Sequence, residues 1–407
     1  MTSSMLLSVQ DLVGEGASAV LDRLVGYGVQ SATVAVAYHR ARDVTPHGKT
    51  RLTMRTDGVH LPVAGAGFTE LVPPEQPARL HLNSGLIAAI SERGLGLDGW
   101  VVICHNTSLG LRHPELTQVT CFGDRAAPAD LCPAQPRVRT YARQLAVAVA
   151  RLGVESVVAE SLHYGTFDHG YHHERSFVEL SQVDRFLLGI CFCNACGAAA
   201  DARGEDAKQA AAEARRALEP VMAGRPGPAQ DLTPDFLGAH VGPAFAAFAA
   251  GRTQVVTSLA AEVGDAVETA GAKLLVLDMT GAVKGYASGT PAGALAAQDA
   301  WQVGVDVAAV AGTGVVHIGM LAYARSSGRI AADVAAYRDA IGPGPLLRAL
   351  LRPSAPDCAS ADDLTAHVRV ALAAGADAIG FYHYGLCTFA DLERVPQALR
   401  AVAGEPA

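Results

Sequence analysis

Aromatic side chains are scarce in this chain. They make up 6% of it with two tryptophans, too few to line a long groove where polysaccharide rings could stack. Charge is scarce too: Asp, Glu, Lys and Arg together account for 18%, and the formal net charge is −8. That balance leaves no basic face for a phosphate backbone, so nucleic acid is not an expected partner. No apolar run reaches the length of a membrane span. The opening MTSSMLLSVQDLVGEG has no positive segment, and its apolar run is broken by Ser8, Gln10 and Asp11, so neither an export signal nor a membrane partner is expected. Eight cysteines in 407 residues are too sparse for a disulfide scaffold, so a reducing, cytoplasmic setting is expected. No HExxH spacing and no strand-to-helix glycine fingerprint is found, so no catalytic zinc of that type and no nucleotide site is expected.

What is present is a compact α/β composition, half of it hydrophobic, in which short apolar runs alternate with amphipathic stretches. That alternation predicts βα units. Strands are expected near 5–9, 32–38, 101–105, 155–160, 273–278, 314–320, 346–352 and 377–382. Eight such strands make the α/β fold class a (β/α)8 TIM barrel, forming a single domain over 1–407. About 250 residues are typical for that barrel, so the remainder goes into loop insertions. One is a hairpin over 44–64, with Asp57-Gly58 as its turn. Another is a helical and loop insertion over 163–232. The stretch 235–270 is read as one or two helices, because Phe245, Phe248, Val255, Val256, Leu259 and Val263 recur at helical spacing.

Three of the eight cysteines fall within six residues, Cys191-Phe-Cys193-Asn-Ala-Cys196. Thiolates at this spacing converge on one metal, and a structural zinc takes four such ligands in a closed tetrahedron. The fourth comes from elsewhere in the chain.

In such a barrel the chemistry gathers where the strands end. Those positions are polar here: Tyr38-His39, His105-Asn106, Glu160, Asp278 and Tyr382-His383-Tyr384. Glu160, closing VESVVAE, is the expected general acid, since desolvation in the barrel mouth raises a carboxyl toward a useful acidity. Asp278, closing AKLLVLD, is the expected partner carboxylate, with Asp357 and Asp168 next in line. From His163 to Glu174 the chain holds four histidines and two carboxylates, of which His169 and His172 are taken as ligand contacts. Tyr38, His39, His105, Asn106, Tyr382 and His383 complete the expected pocket. His317, inside the apolar run VVHIGM, reads as a core histidine.

These residues resemble the zinc-containing β-galactosidases of glycoside hydrolase family forty-two over about residues 100–200. The segment Leu131-Cys132-Pro133-Ala134-Gln135-Pro136-Arg137 is similar to the family's Cys–Pro–Arg segment, whose cysteine is a zinc ligand. The CxCxxC is similar to the family's other three ligands. Glu160 stands where the family holds its acid/base. The resemblance thus implies a structural zinc on Cys132, Cys191, Cys193 and Cys196, with Cys121 the alternative fourth ligand, and a homo-oligomer. Two departures stand beside it. Ala159 occupies the place of the family's asparagine, and the seventh strand segment, PLLRALLRPSAPDC, ends without the nucleophile glutamate.

The expected function is therefore a glycosidase-like hydrolase acting on a short soluble glycoside or a related polyhydroxylated small molecule. Two alternatives remain open. One is a metal-dependent sugar isomerase, epimerase or lyase, with Glu160, Asp278 and two histidines on a divalent cation. The other is a non-catalytic sugar-binding barrel.

Overall fold

The computed structural model describes residues 2–169, 175–285 and 288–404. Eight parallel strands close on themselves: β1 (Thr2–Ser8), β2 (Ser31–Tyr38), β3 (Gly96–Val102), β4 (Ser156–Glu160), β5 (Lys273–Asp278), β6 (Val316–Leu321), β7 (Leu347–Leu351) and β8 (Ala378–Phe381). Each strand pairs with its sequence neighbours, and β1 pairs with both β2 and β8, which shuts the barrel. Helices cover the outside, as the (β/α)8 reading expects. Among the described residues, no single helix is long and apolar enough to cross a membrane.

Alternation along the strands separates two cores. Leu6, Ala35, Trp100, Val158, Leu275, Leu277, Leu321 and Leu350 fill the lumen. Their outward neighbours, such as Val101, Val157, Leu274 and Val276, join the larger core beneath the helices. At the floor of the lumen, Arg348 Nη1 meets Asp98 Oδ2 at 2.7 Å and Thr33 Oγ1 donates to the same oxygen at 3.1 Å. All three residues are buried.

All eight expected strands form, two of them displaced. β1 starts three residues early, because Ser3 and Ser4, polar as they are, lie buried between two strand partners that satisfy their backbone. β3 spans Gly96–Val102 rather than 101–105. Gly96, Asp98 and Gly99 have poor strand propensity, yet Gly99 is required there: a Cβ would lie 2.3 Å from Val149 on the helix Pro136–Ala150.

The expected hairpin is built from Ala41–Val44 and Leu52–Arg55, so its reversal falls at 45–51 and not at Asp57-Gly58. Asp57 instead lies buried, accepting the N–H groups of Arg40, Thr107 and Ser108 at 3.0–3.2 Å, and Val59 pairs back onto Ala37 of β2. The stretch 163–232 carries the helices Gln182–Gly189, Asn194–Ala202 and Ala207–Met222. Two helices, Pro234–His240 and Pro243–Thr269, occupy 235–270, and the six apolar residues named for it are buried in the second.

Candidate active site and cysteine cluster

Glu160 is the last residue of β4, two positions beyond Val158 and therefore on the same, lumen-facing side. Its Oε2 accepts the indole N–H of Trp100 at 2.8 Å. Burial pushes its carboxyl up to about 7, against the smaller opposing pull of the Trp100 hydrogen bond and of His105. Aromatic side chains surround this carboxyl at the mouth. Tyr38 meets Trp100 edge-on at 4.7 Å and stacks with His39 at 4.4 Å, and Tyr382 packs 6.1 Å from Trp100. Burial pushes Tyr382 up to about 12, against a smaller opposing pull from Tyr38.

At the mouth opens a cavity of about 180 Å³, with His39, His105, Asp130, Glu160, His163 and Tyr164 on its wall. His105 Nδ1 faces Asp130 Oδ1 at 3.2 Å. Asp130 is buried so tightly that a Cβ on Gly165 would sit 2.3 Å from its carboxyl carbon. His163 Nδ1 donates to the Tyr164 carbonyl at 2.8 Å, and its Nε2 has no hydrogen-bond partner. Burial pulls His163 below the usual histidine range.

Not every expected residue reaches this wall. Asp278 belongs to the outward face of β5 with Leu274 and Val276. Its Oδ1 accepts from the Thr280 backbone N–H (2.9 Å) and hydroxyl (2.6 Å), and its Oδ2 accepts from the Tyr337 hydroxyl of the helix Ser327–Ile341. A one-residue parity difference thus turns it into the helical layer, away from the cavity. Asn106 caps the helix Thr107–Arg112, its Oδ1 accepting from Leu109 N at 2.9 Å. His383 is at the same end of the barrel as Glu160, 6.2 Å from the Trp100 ring, but its Nδ1 accepts from Gly385 N at 3.1 Å and burial pushes it down to about 3. Asp168 reaches the rim, 3.4 Å from Arg185. The His169 side chain and all of His172 lie outside the described residues. Asp357 is held by two 2.7 Å bonds from Arg352, and His317, expected in the core, is only half-buried, its Nδ1 accepting from Leu346 N at 3.1 Å.

Two residues of the site were not anticipated. Trp100 was hidden by the displaced third strand. Asp130 carried one faint signal, its place two residues ahead of Cys132 in Ala129-Asp130-Leu131-Cys132.

The cysteines converge. The sulfurs of Cys132, Cys191, Cys193 and Cys196 lie within 4.8 Å of one another, all buried. Cys132 Sγ is 3.4 Å from Cys196 Sγ and 3.6 Å from Cys193 Sγ. A tetrahedral zinc with bonds of about 2.3 Å requires edges of about 3.8 Å between sulfurs, so the four residues fit a metal of that size. The Val119 N–H points at Cys191 Sγ (3.4 Å) and Gln135 Nε2 at Cys193 Sγ (3.5 Å), as donors to thiolates would. Hydrogen bonds from the three companion thiols pull Cys193 well down, while burial and those same contacts push Cys132 up. Cys121 stays outside the cluster.

No family model matches the chain, and no curated protein does either. Solved structures are similar in fold. The catalytic domain of a β-amylase from Paenibacillus polymyxa superposes with a TM-score of 0.58 at 12% identity, covering 100% of this chain and 99% of that one. α-L-Fucosidase isoenzyme 2 from Paenibacillus thiaminolyticus gives 0.55 at 12% identity, covering 99% of this chain and 49% of that one.

Proposed function

We propose that this barrel is a glycosidase-like hydrolase acting on a short soluble glycoside or a related polyhydroxylated molecule, with Glu160 as its general acid. The observation that carries the reading is Glu160 itself. It is a carboxyl at the end of a barrel strand, on the wall of a cavity at the mouth, brought by burial to about 7. Because Trp100 donates to Oε2, the transferable proton sits on Oε1. His163 offers its Nε2 to a sugar hydroxyl, His39 and His105 stand on the same wall, and the small cavity suits one ring at a time. Asp130, braced against His105, is the second carboxylate on that wall, and it takes the part that the sequence reading gave to Asp278.

The cysteine cluster supports the resemblance to the zinc-containing enzymes of family forty-two, and a zinc held by Cys132, Cys191, Cys193 and Cys196 would be structural. Bound there, it would supply no chemistry to the reaction. It would tie the Cys132 loop to the helix Asn194–Ala202.

Glu160→Gln tests the acid. It keeps shape and binding but removes the proton, so turnover of an unactivated glycoside is expected to fall about 10²–10⁴-fold. An activated aryl glycoside, whose leaving group departs without protonation, is expected to lose far less in bond cleavage. Near-wild-type turnover of the unactivated substrate, or equal losses for both, overturns the assignment.

A further inference from the structure

Arg252 lies within the helix Pro243–Thr269 and is 2% exposed. A guanidinium does not give up its proton in a protein, so its charge must be answered where it sits. Among the described residues no carboxylate pairs with it. Its Nη1 donates to the Gln302 carbonyl at 3.3 Å, its plane lies 4.4 Å over the Tyr164 ring, and its Nε has no hydrogen-bond partner. Beyond the Tyr164 ring lies the cysteine cluster, the Tyr164 hydroxyl reaching Cys196 Sγ at 3.5 Å, and the charge of Arg252 is also felt by His163. The nearby Arg203 shows the contrast, since it faces Tyr164 and Cys196 as well but is paired twice with Glu205 at 2.6 and 2.8 Å.

Four protonated thiols are neutral and would leave Arg252 unanswered in an apolar interior. A divalent cation on four thiolates carries a net charge of −2 and would answer it. We propose that Arg252 is the buried counter-charge of a tetrathiolate metal centre, and that Tyr164, clamped between Arg252 and Cys196, ties that centre to the wall of the active-site cavity. This rests on the metal reading given above.

The clamp has little slack. The Tyr164 hydroxyl is 3.5 Å from Cys196 Sγ, and a Cβ on Gly304 would come within 2.8 Å of the Tyr164 ring. The Tyr164 N–H donates to Val303 O at 3.2 Å, and its carbonyl accepts from His163 Nδ1. Tyr164, His163 and Val303 all line the cavity. Metal occupancy would thus set the position of His163 through one residue, making Tyr164 a positioning residue with no part in the chemistry.

The test measures zinc per chain in the purified full-length protein, then the rate at which zinc passes to a chromogenic chelator. Loss of a partner outside the ligand set typically weakens a metal site about 10–100-fold. Arg252→Gln is expected to release zinc that much faster, Arg252→Lys to recover most of the difference by restoring the charge, and Arg215→Gln, which holds the Cys121 carbonyl and lies over the Phe122 ring, to match wild type. Tyr164→Phe with cobalt in place of zinc is expected to shift the thiolate-to-metal absorption. Hydrogen exchange after zinc withdrawal is expected to accelerate at 163–166 and leave β1 unchanged. Zinc-loaded Arg252→Gln with a wild-type release rate overturns the counter-charge and leaves the metal site standing. Wild-type protein with less than about half an equivalent of zinc, or a Cys193→Ser variant with unaltered zinc content, overturns both.

Discussion

The floor and the mouth of the barrel each bury a carboxylate on the lumen side, and they answer its charge in opposite ways. At the floor, Asp98 meets the guanidinium of Arg348 and the hydroxyl of Thr33. At the mouth, Glu160 is given the neutral indole of Trp100. Asp98 and Trp100, the partner of Glu160, stand two positions apart on the same strand and face, so the backbone does not make the difference. The partners do. A carboxylate held by a cation in an ion pair serves the fold. One beside a neutral donor in an apolar setting has its acidity moved toward neutrality and becomes able to pass a proton.

Breaking the pair at the floor is expected to give the largest effect on stability. Arg348→Met leaves Asp98 buried and unanswered, at a cost of about 3–5 kcal/mol. Urea unfolding measures it, and the double variant Arg348→Met with Asp98→Leu is expected to recover most of the loss. A cost under about 1 kcal/mol for the single variant would mean that water reaches Asp98 and that the floor and the mouth do not differ as described.

The mouth gives a smaller and pH-dependent effect. Glu160 sits at about 7 against an ordinary 4.5, so between those values the folded chain holds a proton that the unfolded chain has released. Its contribution is whole below about pH 4.5 and is lost as pH rises through 7, for a swing of about 3 kcal/mol. Stability measured from pH 4 to 8 is expected to fall along that window in wild type, and the decline is expected to be shallower in Glu160→Gln. The proposed acid step needs the same proton, so kcat/KM is expected to decline above about pH 7 as well. An unchanged stability slope in the variant would place the proton on another group.

This contrast also shows which features were legible in the sequence. Strand count, strand order and Glu160 followed from apolar runs and the polar residues that close them, because a barrel repeats one unit eight times. The cysteine cluster was legible because metal ligands need fixed spacing. Trp100 was not, because Gly96, Asp98 and Gly99 look unlike a strand until the helix Pro136–Ala150 packs against it. Asn106 and Asp57 read as site or turn residues but satisfy the N–H groups of one short helix. Asp130 lies in a loop without periodicity, and only tertiary contact with His105 and Gly165 brings it to the cavity.

Asp278 tests how far parity governs. It ends its strand as Glu160 does, yet it points outward, where Tyr337 and Thr280 hold both of its oxygens. If that placement holds, Asp278→Asn keeps one oxygen for the Thr280 donors and offers the Tyr337 hydroxyl an N–H in exchange for a charged acceptor. The expected cost is about 1–2 kcal/mol of stability, with turnover changed by less than about threefold because no reacting atom is touched. The two readouts separate the possibilities. A fall in kcat of about 100-fold at unchanged stability would return Asp278 to the chemistry and remove Asp130 from it. Lost stability with intact turnover leaves the second carboxylate of the site at Asp130, whose own replacement by Asn is then the variant expected to lose turnover.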